Sequence, residues 1–137
     1  MGLYSLRVDV RKKRFTLTVT GLFAESELAE IADLLFEASK ELGAGFDAIN
    51  DVSRCLPVTP DGVLILKEAQ KRLKEAGIKR VIRVVDEAVV PNLQLSLHAE
   101  EVGYHAVTAR SIEEAERLLD ESEPSGSGAS FERTVYA

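Results

Sequence analysis

Apolar and polar residues alternate twice near the N-terminus. In LYSLRVDV, Tyr4, Leu6, Val8 and Val10 share one face, and Ser5, Arg7 and Asp9 the other. In RFTLTVT, Phe15, Leu17 and Val19 stand against Thr16, Thr18 and Thr20. A period of two, rich in β-branched residues, predicts two strands, each buried on one face. The basic run Arg11-Lys12-Lys13-Arg14 between them reads as a solvated hairpin turn, with a binding patch as the alternative.

From Glu25 the period changes. Leu28, Ile31, Leu35, Ala38 and Leu42 recur at spacings of three and four, which predicts an amphipathic helix ended by Gly43. Glu27, Glu30, Glu37 and Glu41 line its opposite face, with Leu34 among them as an exposed leucine. FDAIND reads as a short strand, PDGVLILKEAQKRLKEAG as a second helix closed by Gly77, and IKRVIRVV as a strand apolar enough to be central. VPNLQLSLHAEEVG predicts a helix with Pro91 in its first turn, and HAVTA a last strand. SIEEAERLL predicts a helix opened by a capping box of Ser111 and Glu114. ESEPSGSGAS is linker-like, and FERTVYA alternates as a short strand that could join a sheet edge of its own or a neighbouring chain, or stay disordered. Strands alternating with helices imply an α/β fold: a parallel core of right-handed crossovers, edged by the antiparallel N-terminal hairpin.

The length of 137 residues fits one core, placed over residues 1–121, with 122–137 as linker and tail. The net charge of −6 argues against nucleic-acid binding, which rests on basic phosphate contacts. One cysteine, Cys55, excludes an internal disulfide and fits a reducing setting. No apolar run approaches the roughly 20 residues of a membrane span. MGLYSLRVDVRKKRF has no signal core, and Leu6 stands where myristoylation needs Ser or Thr. The expectation is a cytoplasmic protein.

Candidate chemistry centres on Thr59-Pro60-Asp61-Gly62, after the third strand. Thr59 can cap the helix, Pro60 loses no hydrogen bond at the first helical position, and Asp61 complements the helix dipole. A phosphate cradle would need more glycines and a lysine, and Asp61 would repel the anion. Cys55 has no histidine near it in sequence, and His98 and His105, seven apart without a neighbouring cysteine, make a poor metal site. Asp47 and Asp51 are paired carboxylates of a kind an acidic chain is expected to have. No hydrolytic triad or nucleotide-binding motif occurs, so neither an enzyme nor a cofactor is expected.

The order of elements and three passages, INDVSRCLPVTPDGVLILKEAQKRL, GIKRVIRVV and VGYHAVTARSIEEAERLL, resemble the STAS domain, and within it the SpoIIAA-like proteins, over roughly residues 3–121. The resemblance implies a mixed sheet with an N-terminal antiparallel hairpin, a parallel βα core and about four helices. By position, Asp51 and Ser53 match the family's strand-end Asp-x-Ser, and Gly62 the glycine of its Asp-Ser-Ser-Gly. Thr59 falls on that motif's Asp, Pro60 on its first Ser, and Asp61 on the Ser that accepts phosphate in anti-sigma-factor antagonists. Asp61 cannot be phosphorylated by a kinase there, and it carries one negative charge where a phosphoserine carries about two. What the resemblance implies is a non-catalytic regulatory or protein-interaction domain, with a protein partner or a second copy of the chain; its surface would be the loop 53–61, with Ser53, Thr59 and Asp61, and the first turns of the second helix, with Gly62 and with Ile65, which helical spacing turns partly outward beside Asp61. The alternative is a small-molecule or lipid binder. The run Val63-Leu64-Ile65-Leu66 is apolar all round for a full turn, and an enclosed pocket beside Leu64 would favour that reading over a flat patch.

Overall fold

A computed structural model describes residues 2–86, 106–122 and 132–136. Its elements are β1 (Leu3–Asp9), β2 (Arg14–Gly21), α1 (Glu25–Leu42), β3 (Asp47–Cys55), α2 (Pro60–Glu75), β4 (Arg80–Val84), β5 (Ala106–Ala109), α3 (Ile112–Ser122) and β6 (Glu132–Tyr136). The helix expected over VPNLQLSLHAEEVG, and both histidines, lie outside the described residues. The fold is α/β, with three helices among the described residues. No helix among them is long and apolar enough to cross a membrane.

The strands form one sheet in the order β5-β4-β3-β2-β1-β6. β2 to β5 run parallel, while β1 pairs antiparallel with both β2 and β6. The C-terminal strand therefore joins its own chain's sheet, along the edge of β1 that the hairpin leaves open. The basic run is divided by the hairpin. Arg11 and Lys13 are exposed, but Arg14 opens β2 and is only 5% exposed, so the expectation of a wholly solvated turn is corrected. The reason is a carboxylate waiting for it: Arg14 Nη2 lies 2.8 Å from Asp120 Oδ1 on α3.

Each face of the sheet has its own helical cover. Leu6, Val8, Phe15, Leu17, Ala48 and Val52 point to the face packed by α1 and α2. The stripe predicted for α1 is buried throughout, and Leu34, expected on the exposed face, is half-buried against the same core. α2 ends in a Schellman motif: Ile78 N–H donates to Leu73 O, Gly77 N–H donates to Lys74 O, and Gly77 takes φ of +100°. A Cβ at Gly77 would meet Ala44 Cβ at 2.7 Å, so glycine is needed for the close approach as well as the dihedral.

The opposite face is half apolar and half ionic. Ile49, Ile82, Val84 and Ala109 receive Ala115 and Leu119 of α3. Toward β1 and β2 the same face carries Arg7 and Arg14, and α3 turns Glu116 and Asp120 to them. Helix α3 begins with Ser111 Oγ accepting from Glu114 N–H; Glu114 in return accepts from Arg110 N–H rather than from Ser111, so the box is displaced by one residue.

At one end of the sheet, cross-strand neighbours alternate in charge: Asp9 beside Arg14, Arg14 beside Asp47, Asp47 beside Arg80. Arg80 clamps Asp47 through both oxygens, Nε to Oδ1 at 2.9 Å and Nη2 to Oδ2 at 2.7 Å, and the Asp47 side chain is 3% exposed. Removing one partner of such a pair strands the other, at about 3–5 kcal/mol when both are buried. Arg80 keeps some contact with water, so Asp47→Ala should cost about 2–3 kcal/mol in urea denaturation. Asp47→Leu combined with Arg80→Leu should recover more than half of that loss.

Candidate functional site

Where β3 passes to α2, the strand outlasts the expected short run FDAIND. Pairing with β2 continues from Thr18 beside Asp51 to Gly21 beside Cys55, with a bulge between Thr18 and Thr20. The extra residue lets β3 bend and still hold its register beyond the bulge. Ser53, Arg54 and Cys55 are therefore strand residues, and the connection to α2 is only residues 56–59, not the longer loop beginning at Ser53.

Of the five expected site residues, Ser53 stands on β3, and Thr59, Asp61, Gly62 and Ile65 occupy the cap and first turns of α2. Asp51 Oδ1 accepts from Ser53 N–H at 3.1 Å and from Ser53 Oγ at 2.6 Å, so these two hold one another. Thr59 Oγ1 accepts from Gly62 N–H at 3.0 Å, which is the cap expected. Pro60 is the first residue of α2 and Asp61 stands exposed in its first turn. That Gly62 N–H is already spent also removes one donor an anion would need. A Cβ at Gly62 would lie 2.9 Å from Leu28 Cδ1 and 3.2 Å from Thr59 Oγ1. The glycine therefore serves the approach of α2 to α1. Ile65 is half-buried and lines an open groove between the helices with Ala29, Ala32 and Arg72.

The apolar turn of α2 has two environments. Val63 and Leu66 line a partly enclosed cavity of about 120 Å³ between the helices and the sheet, while Leu64, 63% exposed, and Ile65 border the open groove against α1. The enclosed space lies on the opposite flank of the helix from Leu64. Among its described lining side chains, only Asn50, Gln70, Arg83 and the Cys55 thiol are polar. Asn50, Gln70 and Arg83 escaped the sequence reading, though a signal existed. Asn50 falls between Ala48 and Val52, Arg83 between Val81 and Val85, each on the core-facing alternation of its strand, and Gln70 adjoins the buried Ala69.

Burial pushes the Cys55 thiol up from its ordinary value. A thiol held neutral is a poor nucleophile. Among the described residues, no group of three or more His, Cys, Asp or Glu side chains is placed to hold a metal ion.

The cap and the thiol each yield a measurement. Thr59→Ala should destabilise the fold by about 1 kcal/mol, read as a lower urea midpoint at unchanged slope. For Cys55, the native thiol stays protonated after the unfolded chain's thiol has begun to ionise. Its contribution is complete below about pH 8.5, the unfolded value, and falls as pH rises above it. Wild type should lose stability relative to Cys55→Ala between about pH 8 and 10, and parallel curves would contradict the burial. No family model matches the chain and no curated protein matches it, so the functional reading is built from this geometry.

Proposed function

We propose that the chain is a non-catalytic interaction domain of the STAS, SpoIIAA-like kind, and that a protein partner docks at the corner where β3 passes to α2. One observation carries this reading. Leu22 and Leu56 are 52% and 53% exposed, and Leu56 N–H donates to Gly21 O at 2.9 Å, which sets them beside each other. Leu3, 63% exposed, stands on the neighbouring strand across from Thr20. Single exposed leucines are ordinary, but several at one corner make an apolar patch of the sort partners cover. The corner also lies at the carboxyl end of the parallel strands, where open α/β sheets bind their ligands.

The element order supports the family reading: hairpin, then strands and helices in alternation, with Asp51-x-Ser53 at the end of the third strand and Gly62 in the first turn of the following helix. Asp61 gives the helix start a permanent negative charge instead of one added by a kinase. The partner surface proposed is thus a constant one, and the lone reduced cysteine fits work in the cytoplasm.

The test is a photo-crosslinking amino acid placed singly at positions 22, 56 and 10 in the native cell. Val10, 37% exposed at the hairpin turn, is the control. Positions 22 and 56 should give an adduct with the same polypeptide, another protein or a second copy of this chain, and position 10 should not. Leu56→Asp should abolish the adduct from position 22 while shifting stability by no more than about 0.5 kcal/mol. Equal labelling from all three positions would overturn the reading.

A further inference from the structure

We propose that the cavity between α1, α2 and strands β2 to β4 is a binding site for a small molecule with an apolar body about one aromatic ring in size and a single hydroxyl group. Size sets the first limit. The volume is about 120 Å³. A dry apolar cavity of about 150 Å³ takes up benzene, so this one, smaller and open on one side, encloses about five non-hydrogen atoms and leaves the rest of a ring at its mouth. Lining sets the second. Leu17, Leu28, Leu35, Leu66 and Val81 contribute hydrocarbon, which disfavours water over most of the surface.

Two buried amide oxygens set the third. Neither Asn50 Oδ1 nor Gln70 Oε1 accepts a hydrogen bond from any described residue, and Gln70 is only 8% exposed. A buried polar atom left unpaired is costly, and nearly all such atoms in folded proteins find a partner. Both residues line the cavity, so a guest entering it reaches them. Water alone would serve an amide and leave the hydrocarbon wall unfilled; a hydrocarbon guest would do the reverse. A hydroxyl on an apolar body does both, and it can donate to an amide oxygen or accept from an amide nitrogen. Arg83 also lines the cavity, is 2% exposed and has an interaction of its own. Entry lies under residues 56–58, since Leu56 and Pro57 are exposed and also line the cavity.

The experiment titrates the ¹⁵N-labelled full chain with phenol and, separately, with benzene, following amide resonances including the side-chain NH₂ groups of Asn50 and Gln70. Phenol should give saturable shifts confined to the cavity wall and should bind about threefold to tenfold more tightly than benzene, the worth of one hydrogen bond. Phenol is better hydrated than benzene, so a merely greasy cavity would reverse that order. Phenol should also slow the reaction of Cys55 with a thiol reagent, saturating at the same concentration. In Gln70→Leu the advantage of phenol should shrink at least threefold; if that variant does not fold, the order of the two probes on wild type decides. No saturable shift with either probe, shifts mapping elsewhere, or benzene binding as tightly as phenol would each overturn the proposal.

Discussion

The buried carboxylate of Asp47 is the interaction on which the sheet depends. It stands between Arg14 and Arg80 as a member of a row that alternates in sign over four adjacent strands. In a strand, a slip of one residue turns every side chain to the other face. Here a slip would carry a carboxylate or a guanidinium under α1 and α2, into hydrocarbon, where an unpaired charge is severely penalised. The row thus specifies register as well as adding attraction. It also chooses the position of α3: Asp120 reaches Arg14, and Arg80 Nη1 donates to the Leu119 carbonyl, near the helix end whose dipole favours cations.

From that register the division of labour between faces follows. Crossovers that proceed in one direction along the sheet, from β2 to β3 to β4, place α1 and α2 together on one side, with Arg72 and Lys40 stacked over the Phe36 ring on their outer surface. Among the described residues, the other side is covered by α3, whose apolar and acidic positions match an apolar and a basic half of the sheet. The carboxyl ends of β2 and β3 carry short connections to α1 and α2, and the bulge in β3 lies just before the second of them. The same small region supplies the exposed leucines and the mouth of the cavity.

Much of this was legible in the chain. Alternation found β1 and β2, spacing of three and four found α1, and Thr59, Pro60 and Gly77 marked the limits of α2 correctly, because those signals arise from local backbone chemistry. The alternation of FERTVYA likewise anticipated β6. What stayed hidden depends on contacts distant in sequence. Nothing near Arg14 announces Asp120, so a buried strand residue looked like part of a solvated turn. The length of β3 depends on a bulge against Val19, which no local pattern records. Gly62 looked like a motif position, and nothing near it in sequence announced its closeness to Leu28 of another helix. The polar cavity residues were visible as interruptions of the core-facing alternation, yet such interruptions acquire meaning only once the opposing helices are in place.

The pairing of β6 with β1 has a consequence for the chain in a crowded solution. An open edge of β1 would present a row of unpaired backbone donors and acceptors, a template for any extended segment that drifts past. β6 pairs with that row from within the chain, and the open edge passes to β6 itself, a strand of five residues against the seven of β1. A segment drifting past that end of the sheet therefore meets a template of five residues instead of seven.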